Sequence, residues 1–133
     1  MKKLIIMAVL SLLAISANAQ DPKSEKDREK EFFEAIQTQV DKLAETLDLD
    51  DWQIFYVDSI LTHDYKAVQD EFKELNESKV GNSDIYYRVQ DKWMEQIYQS
   101  FHKIFDETQW AKYLKTGAAR EKKARDKRAE KYK

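Results

Sequence analysis

Leu49-Asp50-Asp51-Trp52-Gln53-Ile54 and Phe105-Asp106-Glu107-Thr108-Gln109-Trp110 carry the same helix-starting pattern. Each sets an aspartate three positions before a glutamine, between two apolar residues. In the first, the Asp50 carboxylate can accept a hydrogen bond from the Gln53 backbone N–H. The Gln53 side chain can accept one in return from the Asp50 N–H. That is a capping box, and Leu49 with Ile54 holds the flanking hydrophobic-staple positions. In the second, Asp106 is the cap, Gln109 the reciprocal partner, and Phe105 with Trp110 the staple. Each corner starts a helix while using almost no loop.

Apolar stripes run outward from both corners. Phe32, Phe33, Ile36, Val40, Leu43, Ala44 and Leu47 recur by three or four and predict a first helix, opened by Ser24 as N-cap. Ile54, Val57, Leu61, Tyr65, Val68, Phe72 and Leu75 predict a second, over about residues 51–77. Glu77 to Ser83 reads as a turn, with Gly81 suited to a helix C-cap. Tyr86, Val89, Trp93, Ile97, Phe101 and Ile104 form the third stripe, so segments two and three predict a long antiparallel hairpin. A fourth helix follows Asp106. The expected class is all-α, with four helices built round that hairpin.

The composition agrees. The chain has 133 residues, 42% hydrophobic and 36% charged, with two Gly, one Pro and no Cys. Its length suits one domain. So little Gly and Pro argues against a turn-rich all-β fold. Without cysteine there is no disulfide framework, Cys-ligated zinc site, thiol nucleophile or lipidated N-terminal Cys. Sixteen aromatics (7 Tyr, 6 Phe, 3 Trp) are enough to build a core.

Residues 1–19, MKKLIIMAVLSLLAISANA, read as a secretory signal peptide. Lys2 and Lys3 form the positive region, Leu4 to Ile15 the apolar run, and Ala17-Asn18-Ala19 the cleavage pattern. The run is shorter than the roughly 20 residues of a membrane span. A soluble, exported protein of the bacterial periplasm is expected. Residues 20–116 would form the helical domain and 117–133 a basic charged tail. Segment 20–114 holds 12 Lys+Arg against 22 Asp+Glu, whereas 115–133 holds nine against three. The overall net charge of −2 therefore conceals an acidic body and a basic end.

The two corners look like degenerate copies of the LTxxQ motif, at Leu49-Asp50-Asp51-Trp52-Gln53 and Phe105-Asp106-Glu107-Thr108-Gln109. In this, and over roughly residues 24–116, the chain resembles the Spy/CpxP-like family of small periplasmic proteins. Asp stands for Thr at both caps and Phe105 for Leu, changes that keep the capping and staple physics. The resemblance implies an all-α, Spy-like fold, commonly a homodimer with a concave cradle. It implies an ATP-independent holding chaperone for unfolded or envelope proteins, or else an envelope-stress modulator or adaptor with one specific partner.

Other chemistry has little to stand on. His63 falls toward the solvent side of its helix and His102 at a stripe's edge, with no HExxH pattern and no nucleophile elbow. No catalytic residue, metal ligand set or cofactor is expected. The export signal and acidic body argue against nucleic acid. The tail, with Arg120, Lys122, Lys123, Arg125, Lys127, Arg128 and Lys131, suits contact with an anionic surface or a neighbouring subunit's acidic body, or simply solvation. A stop near Gly117 leaves that tail a solvated helix or disordered. The aromatics exceed a narrow helical seam. Phe33, Tyr56, Tyr87, Trp93 and Tyr98 are candidate client or partner contacts, or else the edges of a wide core stripe.

Overall fold

A computed structural model describes residues 24–132. The signal-peptide assignment at 1–19 lies outside the described residues. Helix α1 spans Glu25–Leu47, α2 Asp51–Glu77, α3 Ser83–Ile104, α4 Glu107–Tyr113 and α5 Ala119–Lys131, with a π-helical turn at Leu114–Ala118 between the last two. No strand occurs among the described residues. The all-α class holds, and the long hairpin is α2 with α3.

Pairs across the hairpin mark its antiparallel register. Gln53 Nε2 donates to the Ile104 carbonyl at one end, His63 meets Trp93 further along, and Phe72 packs on Tyr86 near the turn. Lys92 and the Trp93 indole N–H both donate to Glu71 Oε1, at 2.6 and 3.0 Å. With 27 residues, α2 is about 40 Å long at 1.5 Å per residue.

The core sits at the corner end of this hairpin. It joins Phe32, Ile36, Val40, Leu43 and Leu47 of α1 to Val57, Leu61 and Tyr65 of α2 and Ile97 and Phe101 of α3. Leu49 and Phe105 from the two corners complete it, with Ile54 and Trp110 packed against its edge. Each fully buried side chain of this size contributes about 1.5–3 kcal/mol. Toward the turn the stripes persist, but Phe72, Leu75, Tyr86 and Val89 are only half-buried. There α2 and α3 have mainly each other to pack against.

The chain turns mostly without glycine. At the end of α2 the left-handed residue is Lys79 (φ 57°), not Gly81. Lys79 N–H bonds to the Asn76 carbonyl and Val80 N–H to Leu75, the paired bonds of a Schellman cap. Asp48 (φ 51°) takes the same conformation after α1, where Leu49 N–H reaches back to Ala44. Short polar side chains such as Asp tolerate this region.

Gly117 behaves differently from the expected stop. Its φ of 109° breaks the helix, yet the chain resumes at once as α5. Thr116 Oγ1 donates to the Tyr113 carbonyl at 2.6 Å, and Thr116 and Ala118 are buried. The tail is helical, and one of its faces returns onto α3.

Candidate functional site

The two corners meet. Gln53 Nε2 donates to Gln109 Oε1 at 2.6 Å, and Gln109 Nε2 donates to Gln53 Oε1 at 3.0 Å. Both side chains are buried. Each Oε1 also closes its own box, accepting from Asp50 N–H at 2.8 Å and from Asp106 N–H at 3.0 Å. The spare amide hydrogens go to backbone carbonyls, Gln53 to Ile104 and Gln109 to Asp48. Every polar atom of the pair is thereby satisfied without water, as a buried network must be. At the second box the Asp106 carboxylate accepts from Gln109 N–H at 2.8 Å. At the first, the matching bond from Gln53 N–H to Asp50 is looser.

Beside the first corner, the start of α2 carries an exposed aromatic cluster. Trp52, Phe55 and Tyr56 follow one another at i, i+3 and i+4, which puts them on one helix face. Trp52 and Phe55 each meet the Tyr56 ring edge to face, at 6.1 and 5.6 Å. Phe55 is 67% exposed, the most of any large hydrophobic residue described. Tyr56 was expected here from the sequence. Trp52 and Phe55 were not among the candidate contacts, although their spacing from Tyr56 and their place off the Ile54/Val57 stripe signalled them.

The other candidate contacts fall in separate settings. Phe33 is exposed and leans edge-on against buried Phe32. Trp93 is half-buried and tied to Glu71. Tyr87 is exposed and Tyr98 half-buried, and both line a cavity between α1, α3 and α5. Tyr98 packs on Trp110 at 4.9 Å, and the cations of Lys122 and Arg125 lie over its ring.

Those two cations belong to α5, and their partners are on α3. Lys122 Nζ reaches both Glu95 oxygens at 3.0 Å, and Arg125 reaches Oε1 at 3.4 Å. Arg128 grips Asp91 with two hydrogen bonds, at 2.7 and 2.9 Å. Arg88 caps the far end by stacking on Tyr132. The tail's charge thus meets the acidic body of its own chain. Arg120, Lys123, Lys127 and Lys131 remain exposed. Burial disfavours the Glu95 carboxylate, but hydrogen bonds from Gln99 and Lys122 and the nearby cations outweigh it and lower the pKa. Glu71 is lowered likewise, burial being outweighed by Lys92 and Trp93. Hydrogen bonds to Asp126 and Glu95 push Lys122 up.

His63 is exposed beside buried Asp64, its Nδ1 2.8 Å from a carboxylate oxygen, and His102 stacks flat on Trp110. Among the described residues no group of three or more His, Asp or Glu is placed to hold a metal ion. No helix among them is long and apolar enough to cross a membrane. Compared with family models, curated proteins and solved structures, the chain matches none.

Proposed function

We propose that this is a Spy-like, non-enzymatic protein of the bacterial periplasm that holds unfolded or partner proteins through exposed aromatic side chains, without ATP. The observation carrying this reading is the Trp52, Phe55 and Tyr56 cluster. Three adjoining aromatics on an open helix face offer apolar area that a soluble chain gains by covering. Phe33 and Tyr87 add further exposed rings. Tyr and Trp suit such contacts because they bury large area with few rotatable bonds. The buried glutamine pair is consistent with this reading, because it gives the two LTxxQ-like corners one shared structural role. Export by residues 1–19 and a homodimeric state belong to the same reading.

Suppression of aggregation of a thermally unfolded client enzyme tests it. Wild type should suppress light scattering at stoichiometric excess. Phe55→Ser with Trp52→Ser should lose most of that effect while keeping the wild-type helical signal and melting behaviour. No suppression by wild type at excess overturns the reading.

The exposed Arg120, Lys123, Lys127 and Lys131 favour a second reading, an envelope adaptor that engages one anionic partner or surface. Removing residues 118–133 would also strip the ion pairs of α3, so charge reversal is the cleaner test. Lys123→Glu with Lys127→Glu should abolish binding to anionic vesicles or an isolated partner under this reading. Client holding should be unaffected.

A further inference from the structure

The cavity of about 270 Å³ between α1, α3 and α5 is separate from the exposed aromatic cluster. Leu43, Met94, Ile97 and Phe101 give it apolar walls. Two polar groups among its lining residues are poorly satisfied. Arg125 is 8% exposed, and its hydrogen bonds among the described residues are two long ones, both 3.4 Å and both to Glu95 Oε1. That carboxylate already serves Lys122 at 3.0 Å on both oxygens and Gln99 at 2.7 Å. A guanidinium has five N–H donors in a fork that matches a carboxylate. On α1, the Gln39 side chain hydrogen-bonds buried Tyr65, while its own buried Oε1 has no hydrogen-bond partner among the described residues. Buried polar atoms are rarely left so, and each costs free energy until it is paired.

We infer that this cavity is a binding site for a small apolar monocarboxylate that also carries one hydrogen-bond donor. The carboxylate sits on the Arg125 fork, the donor faces Gln39 Oε1, and a one- or two-ring body fills the apolar space. At about 270 Å³ the cavity is just below the roughly 300–1,000 Å³ range of ligand pockets, which limits the body to one or two rings. Of the nearby acids, Asp91 is held by Arg128, and Glu95 is shared between Lys122 and Arg125. A bound carboxylate takes the Arg125 donors that Glu95 leaves unused. Because the site is distinct from the aromatic cluster, it stands whether or not that cluster holds clients.

Indole-3-propionate combines a carboxylate, a two-ring body and one N–H, and its primary amide removes only the charge. Titration calorimetry of the wild-type protein should give one indole-3-propionate per chain, with the amide about tenfold weaker or more. Arg125→Met, of similar length, should erase the preference for acid over amide. Met94→Trp, which fills the cavity, should abolish binding of both while the circular dichroism stays wild-type. Equal binding of acid and amide to wild type overturns the inference. So does no binding at all, or binding unchanged in both variants, which would place the ligand on the exposed aromatics.

Discussion

Gln53 and Gln109, 56 residues apart in the chain, hold each other by two buried hydrogen bonds where the two corners meet. Each also closes a capping box, so the pair locks the start of α2 to the start of α4. Replacing either by Ala strands the partner's amide and frees a cap, and should cost about 1–3 kcal/mol. The double variant should cost clearly less than the two singles together, with a coupling of about 0.5–3 kcal/mol. Urea unfolding of all four proteins measures this. Strict additivity would mean that the glutamines act only within their own corners.

The two caps should not weigh equally. Asp106 accepts from Gln109 N–H at 2.8 Å, while Asp50 makes the looser bond to Gln53 N–H. Both Ala variants should fall within the usual 0.5–2 kcal/mol for cap loss, with Asp106→Ala the larger. Thermal melts unchanged by both would contradict the capping geometry.

The two glycines give a contrast. Gly117 sits at φ 109°, where a Cβ is strained, so Gly117→Ala should destabilise by about 1–2 kcal/mol and weaken the docking of α5. Gly81 has ordinary backbone and nothing within 4 Å of a Cβ. Gly81→Ala should be neutral or stabilise by up to about 1 kcal/mol, because it restricts only the unfolded chain. Amide exchange over residues 119–131 separates loss of α5 from global loss.

Acid should loosen α5 and the middle of the hairpin together. Glu95 and Glu71 have lowered pKa values when folded, so their stabilisation is present above the ordinary glutamate range near 4.3. It is lost as pH falls through their lower folded values. Lys122 is raised, so its contribution is lost only at alkaline pH. Exchange protection of 119–131 should drop between neutral pH and about pH 3. Glu95→Gln should show weak protection already at neutral pH. Protection that is flat across this range, or unaffected by the variant, would show that these ion pairs do not hold α5.

The helices were legible because their information is local. Ile36, Val40, Leu43 and Leu47, or Val57, Leu61 and Tyr65, follow the 3.6-residue period, and the structure buries them. The exposed face was half legible. Tyr56 was marked, but Trp52 and Phe55 were missed because an aromatic residue's default is the core. Trp93 and Tyr98 show why composition alone does not define a surface. Their exposure is set by Glu71 on α2 and by Lys122 and Arg125 on α5.

From the residues alone came the starts of the first four helices, the inward faces of the three long ones, and the capping grammar that two corners share. Those properties depend on hydrogen bonds and side-chain spacing within a few residues. Tertiary structure alone decided that the two glutamines join, that Lys79 rather than Gly81 turns the hairpin, and that the basic end docks on α3. The glutamine junction and the docking bring together groups far apart in the chain. There, burial makes a hydrogen bond or ion pair worth forming only once the helices have packed and excluded water.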